Sequence, residues 1–456
     1  MLRTHNCAEL NEKHIGETVT LCGWVHSRRD HGNIVFIDLR DKRGITQLVF
    51  WGREIVNKIS DLRSEYVIKI CGKVNQRPKG TQNPKMHTGQ IEVAVSECEV
   101  LNVSKPPPFE IDKDIEATEE ARFTFRYLDL RRPHVAQKLL LRHKIIKAMR
   151  DFLDSREFIE VETPLLTKST PEGARDYLVA SRLNPGKFYA LPQSPQLFKQ
   201  ILMISGLEKY FQIAKCLRDE DLRADRQPEF TQLDIEMSYI EEEDIFSLIE
   251  ELLRYVFAQA LNISLATPFP RLSYQKAQDK YQTDKPDLRA DKTDKKEFKF
   301  VWIKEFPLFK YNQEEKKWES EHHPFTAPSD NELSQDLGKI GARAYDLVLN
   351  GVEIASGSMR IHQRRLQEEI FKVLKISTKE ANERFGFLLR ALDYGAPPHG
   401  GIALGLDRFI AQLNGDTTIR EAIAFPKTQK GLCLLTGAPS YVSAQQLKEL
   451  GLSIKK

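Results

Sequence analysis

Cysteine is scarce and scattered: Cys7, Cys22, Cys71, Cys98, Cys216 and Cys433 are the six in 456 residues, and none belongs to a CxxC pair or a Cys/His cluster. That argues against both a disulfide framework and a zinc site, and makes reduced thiols in the cytoplasm the simple expectation. No apolar run approaches the ~18 residues of a membrane helix. The polar start "MLRTHNCAELNEKH" has no secretory pattern. Internal repeats and low-complexity tracts are missing as well. So is a strong charge of one sign: the net +3 is too small to announce nucleic acid. Its distribution is uneven, however. Residues 1–105 hold sixteen Lys and Arg against twelve Asp and Glu, or +4, which leaves the remainder at −1. A modest basic bias of the N-terminal part is all this suggests. With 41% hydrophobic and 29% charged residues the composition is that of a soluble globular protein, and 456 residues exceed what one core usually supports. Two or three domains are expected.

Five short, β-branched runs are present between residues 18 and 102: "TVTLCGWVHS", "NIVFIDLR", "ITQLVFW", "YVIKICGKV" and "QIEVAVSECEVLN". Separated by glycine or charged turns, they suit a small closed barrel of the oligonucleotide-binding kind, assigned to residues 1–104. The prolines of "VSKPPPFEID" can continue neither a helix nor a central strand, so a linker is placed at 105–134. Beyond it Leu139, Ile146, Met149 and Leu153 share one helical face, and "FIEVETP" reads as a strand stopped by Pro164. Strands and helices then mix without a βαβ rhythm. This predicts an α+β fold for 135–456, an antiparallel sheet flanked by helices.

The segment "FQIAKCLRDEDLRADRQPEFTQLDIEMSY", 211–239, puts Arg218, Asp219, Glu220, Asp221, Arg223, Asp225 and Arg226 at the turn of a hairpin that otherwise reads as buried. Strand alternation would project Arg218 and Glu220 together, one suited to a phosphate and the other to an exocyclic amine. In "AYDLVLNGVEIASGSMR" the pair Asn350-Gly351 predicts a two-residue turn that sets Val348 opposite Glu353 and Asp346 opposite Ala355. Asp346 and Glu353 then lie diagonally on one face, about 7–8 Å apart, as a plausible Mg²⁺ site. The glycines of "GGIALGLDRF" precede Arg408, as expected where backbone approaches a ligand closely. Each feature also has a plainer reading: a cross-strand salt bridge, two solvated carboxylates, a tight turn.

Together these stretches resemble one family. "FIEVETP", "FQIAKCLRDE" and "GIALGLDRF" look like motifs 1, 2 and 3 of class II aminoacyl-tRNA synthetases, at about 145–164, 211–239 and 400–410. The barrel, with "TPEGARDY", "QSPQLFKQ", "RADRQPEFTQ" and "HHPFT", is similar to bacterial-type aspartyl-tRNA synthetases over almost the whole chain. One departure is large: the domain that most bacterial members insert between motifs 2 and 3 is reduced here to about 289–299.

The resemblance implies roles for matching residues. Arg218 would hold the ATP α-phosphate and the amino acid carboxylate, with Asp219, Gly405, Leu406 and Asp407 in the same nucleotide-binding set. Glu220 would read the adenine amine, Phe230 and Arg408 would sandwich its ring, and Gln227 would hydrogen-bond nearby. Asp346 and Glu353 would hold Mg²⁺, Lys199 and Arg360 would clamp the aspartate side chain assisted by His322, and Glu172, Ser194, Gln196 and Asp234 would take its ammonium. After Pro195 a helix would bring Gln196 and Lys199 to one face. On a regular strand Arg360 would point away from Glu353, a conflict that a bulge near Gly357 would remove.

In the barrel, Arg29, Phe36 and Gln47 offer a cation, a stacking ring and an amide, and match positions that read the anticodon in this family. His31 is expected on the loop entering the strand of Phe36. A histidine there resembles members that accept both tRNA(Asp) and tRNA(Asn), and neutral imidazole can donate from one nitrogen and accept at the other. The resemblance thus implies a cytoplasmic homodimer, joined around Pro164, that uses ATP and Mg²⁺ to ligate L-aspartate to tRNA. Three rivals stay open: a lysine- or asparagine-charging relative, an asparagine-making enzyme of the same catalytic fold, and a tRNA-binding regulator with a dead catalytic domain.

Overall fold

The computed structural model describes residues 1–111, 117–170, 174–330 and 333–454. Its chain divides into two compact units, Met1–Pro133 and His134–Lys456.

In the first unit β1 (Thr18–His31), β2 (Ile34–Arg40), β3 (Ile45–Trp51), β4 (Val67–Gln76) and β5 (Ile91–Asn102) close a barrel in the order β1-β2-β3-β5-β4. Alternation explains the closure: Val19, Leu21, Val25, Val35, Ile37, Leu48, Phe50, Ile68 and Ile70 all point inward and are buried. Residues expected only as linker carry two short helices, Glu119–Thr124 and Arg126–Asp129. They are tied to the barrel by charge. Glu65 accepts from Arg40 at 2.7 Å and from Arg131 at 2.8 Å, and the Arg131 guanidinium lies 4.8 Å from the Trp24 ring centroid. Folding also gathers a trio that spacing hid, since ligand atoms of His5, His14 and Glu17 lie within 4.8 Å of one another. His14 Nδ1 already accepts the Asn11 amide at 3.2 Å, which leaves the opposite nitrogen of the neutral ring protonated and unsuited to a metal.

The second unit is built on one eight-stranded sheet. Along the chain come β6 (Ile159–Glu160), the hairpin β7 (Leu178–Ala180) and β8 (Phe188–Ala190), then β9 (Lys209–Leu217), β10 (Glu229–Ser238), β11 (Arg271–Ser273) and β12 (Phe300–Lys304). A second small hairpin, β13 (Phe309–Asn312) and β14 (Lys317–Ser320), precedes β15 (Ala344–Leu349), β16 (Val352–Met359) and β17 (His399–Gly405). The sheet order is β11-β12-β15-β16-β17-β10-β9-β6, antiparallel apart from β11·β12 and β6·β9. The expected α+β class is therefore the observed one. "FIEVETP" gives only a two-residue edge strand. Helices Pro133–Asp154, Glu242–Val256 and Leu406–Asn414 cover one face, where Met149, Leu153, Ile245, Phe246, Ile249, Phe409 and Ile410 form a core with Leu233, Ile235, Ile402 and Leu404 of the sheet. Odd-numbered residues of β10 enter that core, so its even-numbered ones face the other way, into the site. Among the described residues no helix is long and apolar enough to cross a membrane.

Candidate active site

The free face of the sheet floors a cavity of about 770 Å³. Register explains the opening. Asp234 of β10 pairs with Ala403, Ala403 with Ser356, and Ser356 with Asp346, so two carboxylates stand at the ends of a row whose middle positions are small. Gly405 and Gly357 extend the low floor.

A buried charge cluster forms one end. Lys199, on the helix Gln196–Ile204 that starts just after Pro195 as expected, is 1% exposed. Its Nζ lies 3.0 Å from Asp234 Oδ1 and 3.3 Å from Glu236 Oε2. Arg360 donates from Nε and Nη2 to Glu236 at 2.8 and 3.1 Å, and from Nη1 to Ser358 Oγ at 2.6 Å and His323 Nε2 at 2.8 Å. Glu236 thus orients both cations from beneath. Burial favours its neutral form, but Arg360 and Lys199 outweigh that and hold the carboxyl below its ordinary range. Asp234 goes the other way, raised by burial that Lys199 only partly offsets. His323 is held well below the ordinary imidazole value by burial and the Arg360 charge, so it is a neutral acceptor. For His322 burial is overcome by its 3.3 Å contact with Asp346, and the value is raised. Two polar atoms in this wall, Asp234 Oδ2 and Gln196 Nε2, are buried without a partner among the described residues. One accepts and the other donates, the pair a zwitterion needs. Ser194 Oγ accepts the Gln196 amide at 3.2 Å.

The other end is more open. The Arg218 guanidinium lies 5.0 Å from the Phe230 ring centroid, and its Nε reaches the Gln193 carbonyl at 3.4 Å. Arg408 donates to the Glu353 carbonyl at 2.9 Å and meets Asp225 at 3.4 Å. Glu220 pairs with Arg226 at 3.0 Å, and Glu353 with Lys285 at 2.9 Å. Gln227 is closed into a reciprocal pair with the backbone of Lys427, at 2.8 and 3.0 Å. Asp407 lines the cavity but is turned to Arg142 and to the Thr231 amide. Asp219, Asp346 and Leu406 are not brought to the cavity wall: Asp219 meets Arg175 at 3.7 Å, Asp346 is buried behind His322 at 3.3 Å, and Leu406 is core. Glu172 lies outside the described residues.

Two local expectations are corrected. Strand β9 stops at Leu217, so Arg218 and Glu220 reach the cavity from the charged loop rather than by strand alternation. The Asn350-Gly351 turn does set Val348 opposite Glu353, but Asp346 pairs with Ser356, not Ala355, because Ile354 is an extra residue in β16. This bulge brings Glu353 and Arg360 to one cavity, and it lies at Ile354 rather than near Gly357. Glu236, His323 and Lys285 were not anticipated. For Glu236 the signal was present, two residues past Asp234 on a strand.

On the outside of the barrel, Arg29, His31, Phe36 and Gln47 share one face. Arg29 pairs with Phe36, Asp38 with Gln47, and His31 with Ile34. His31 ends β1 rather than lying in a loop, and its ring meets Phe36 edge-on at 5.7 Å. Arg29 bonds Asp38 at 2.8 Å and Gln47 at 3.2 Å, while Gln47 also donates to Glu92 at 3.0 Å.

Known proteins resemble the chain over both units. Residues 118–429 match the model for tRNA synthetases class II (D, K and N), and 19–101 that for the OB-fold nucleic acid binding domain. The chain is 44% identical over 585 aligned positions to an aspartate–tRNA(Asp/Asn) ligase of Syntrophomonas wolfei, covering 100% of both chains. It is also 44% identical over 582 positions to that of Dictyoglomus turgidum, covering 100% of this chain and 98% of the relative. Alignments that long against 456 residues leave well over a hundred positions with no counterpart here. Among solved structures, Pyrococcus horikoshii asparaginyl-tRNA synthetase with asparaginyl-adenylate superposes with a TM-score of 0.77 at 25% identity, over 94% of this chain and 99% of that one. By full-length identity and by the synthetase model that spans most of it, the chain belongs to the class II aminoacyl-tRNA synthetases, in their aspartate–tRNA ligase branch.

Proposed function

We propose that this protein ligates L-aspartate to tRNA(Asp), and to tRNA(Asn) as well, in two steps within the cavity described. A carboxylate oxygen of aspartate attacks the α-phosphorus of ATP, the bond to pyrophosphate breaks, and aspartyl-adenylate forms. The 3′-hydroxyl of the terminal adenosine then attacks the acyl carbon and AMP leaves. No side chain is needed as a covalent nucleophile, since positioning and charge supply the acceleration.

The observation that carries the reading is the buried Lys199 and Arg360 pair beside an unpartnered donor and acceptor. Lys199 and Arg360 take the substrate's side-chain carboxylate, Asp234 with Ser194 and the Gln196 carbonyl oxygen takes its ammonium, Gln196 Nε2 donates to its α-carboxylate, and His322 stands beside them. Lysine would meet two buried cations. Asparagine would bring them no negative charge, leaving two cations to the carboxylates of Asp234 and Glu236 alone. Arg218 spans the reacting carboxylate and the α-phosphate, while Phe230 and Arg408 hold the adenine ring and Glu220 its amine. Asp346 and Glu353 supply hard oxygen donors from one hairpin, and the cations facing Glu353, Lys285 and Arg408, with the raised His322 pKa beside Asp346, mark where positive charge is favoured. That donor set fits Mg²⁺, which when bound neutralises phosphate charge. Arg29, Phe36, Gln47 and His31 read the anticodon. Exposed Ile159, Leu165 and Leu166 in and beside motif 1, with Leu178 and Phe188 of the β7–β8 hairpin, support a homodimer.

The test is ATP–pyrophosphate exchange without tRNA, with each of the twenty amino acids in turn. Aspartate-dependent exchange is expected, and exchange with lysine or asparagine but not aspartate would overturn the reading.

A further inference from the structure

Register on the barrel's outer face continues beyond the residues considered so far. Its rows run Asp38–Gln47, Arg29–Phe36–Val49 and His31–Ile34–Trp51. Trp51 is the last residue of β3, and at 78% exposure it is by far the most exposed of the four tryptophans. The other three are packed: Trp302 is fully buried, and the half-buried Trp24 and Trp318 lie under Arg131 and against Phe309 and Tyr311, respectively. An indole this exposed, at the end of a row begun by His31, has no packing purpose in the barrel. Its neighbours are the slightly exposed apolar Ile34 and, one row away and diagonally across the strands, Phe36. The diagonal puts the two aromatic side chains about 7–8 Å apart at their origins, near enough to serve neighbouring bases of one unstacked strand.

We propose that Trp51 is a second stacking platform on this face, which takes the anticodon base beside His31 by its ring rather than by its edge. The inference rests on the anticodon reading above and says how relaxed specificity arises there. The tRNA(Asp) anticodon ends in C and that of tRNA(Asn) in U at its third base, and stacking is blind to that difference because each has a π face. The His31 imidazole can satisfy the edge of either pyrimidine. Affinity for the third base therefore comes from Trp51, and the ratio between the two tRNAs is governed by His31. A barrel without the indole would have to draw that affinity from edge contacts, which discriminate.

The experiment compares aspartylation of tRNA(Asp) and tRNA(Asn) transcripts by wild type, Trp51→Ala, Trp51→Phe and His31→Leu, each normalised to the variant's own aspartate-dependent pyrophosphate exchange. Trp51→Ala should lower kcat/KM for both tRNAs by about ten- to a hundredfold, chiefly through KM, while their ratio stays within about twofold. Trp51→Phe, which keeps a ring, should recover most of that loss. Binding of an anticodon stem-loop should quench indole fluorescence in wild type and His31→Leu, and should lose most of that quench in Trp51→Phe. A change of less than twofold for both tRNAs in Trp51→Ala, or a loss confined to one of them, would overturn the proposal. If instead His31→Leu leaves the ratio unmoved while Trp51→Ala behaves as expected, the anticodon reading of His31 fails and the platform stands.

Discussion

Replacing Arg360 with leucine separates what the buried cluster does for substrate from what it does for the fold. Arg360 is 3% exposed and makes two of its four side-chain hydrogen bonds to Glu236. Without it Glu236 keeps only Lys199, at 3.3 Å. Breaking a buried pair in this way costs about 3–5 kcal/mol, because a carboxylate remains out of water without full compensation. The same substitution removes one of two cations proposed to hold the aspartate side chain, so a loss of exchange in the single variant is ambiguous. The Glu236→Gln/Arg360→Leu double variant resolves it. Gln carries no charge to strand, and roughly 2 kcal/mol or more of the lost stability should return in urea unfolding. Aspartate-dependent exchange should not return. We expect kcat/KM for aspartate to stay at least about a hundredfold below wild type, some 2.8 kcal/mol, in both variants. Recovery of exchange to within about tenfold of wild type in the double variant would refute a direct substrate role for Arg360.

Gly401→Ala should destabilise the catalytic unit by about 3 kcal/mol in the same unfolding assay, because a Cβ there would overlap the Glu236 carboxylate and the Ile235 carbonyl. An acid limb in the KM for aspartate is expected above the ordinary carboxylate range. Burial raises the Asp234 pKa, so as pH falls through that value the acceptor for the substrate ammonium is lost; a pH profile of exchange for wild type and Asp234→Asn checks it. The stability contribution has the opposite sense: folded Asp234 holds its proton more tightly than unfolded, so its share is full below the ordinary value of 3.8 and declines as pH rises through the raised one. His31→Leu should tilt charging toward tRNA(Asp) by tenfold or more, read from the two transcripts side by side.

Much of this was legible because β alternation and turn chemistry are local. The five barrel runs, the Asn350-Gly351 turn and the helix after Pro195 each follow from neighbouring residues, and each occurs where expected. Placement that depends on a partner strand was not legible. The extra residue Ile354 shifts everything after it by one position, and nothing in "NGVEIASGS" distinguishes that bulge from a regular strand. His31 looked like loop because "DHGN" is polar, yet Gly32 and Asn33 alone make the turn and β1 runs through to His31. Lys285 stands far from Glu353 in sequence, and no local pattern announces their 2.9 Å pair. Asp219, Gln227 and Asp407 were grouped with the nucleotide by motif, whereas their side chains are taken up by Arg175, Lys427 and Arg142.

The central claim is that aspartate is the amino acid joined to tRNA, and that both tRNA(Asp) and tRNA(Asn) receive it. Charging each purified transcript with an equimolar mixture of all twenty amino acids, then hydrolysing the ester and identifying what is released, tests it in one measurement. Aspartate from both transcripts, with efficiencies within about tenfold, is the predicted result. Lysine or asparagine in its place, or a preference for tRNA(Asp) of about a thousandfold, equivalent to roughly 4 kcal/mol, would contradict the account.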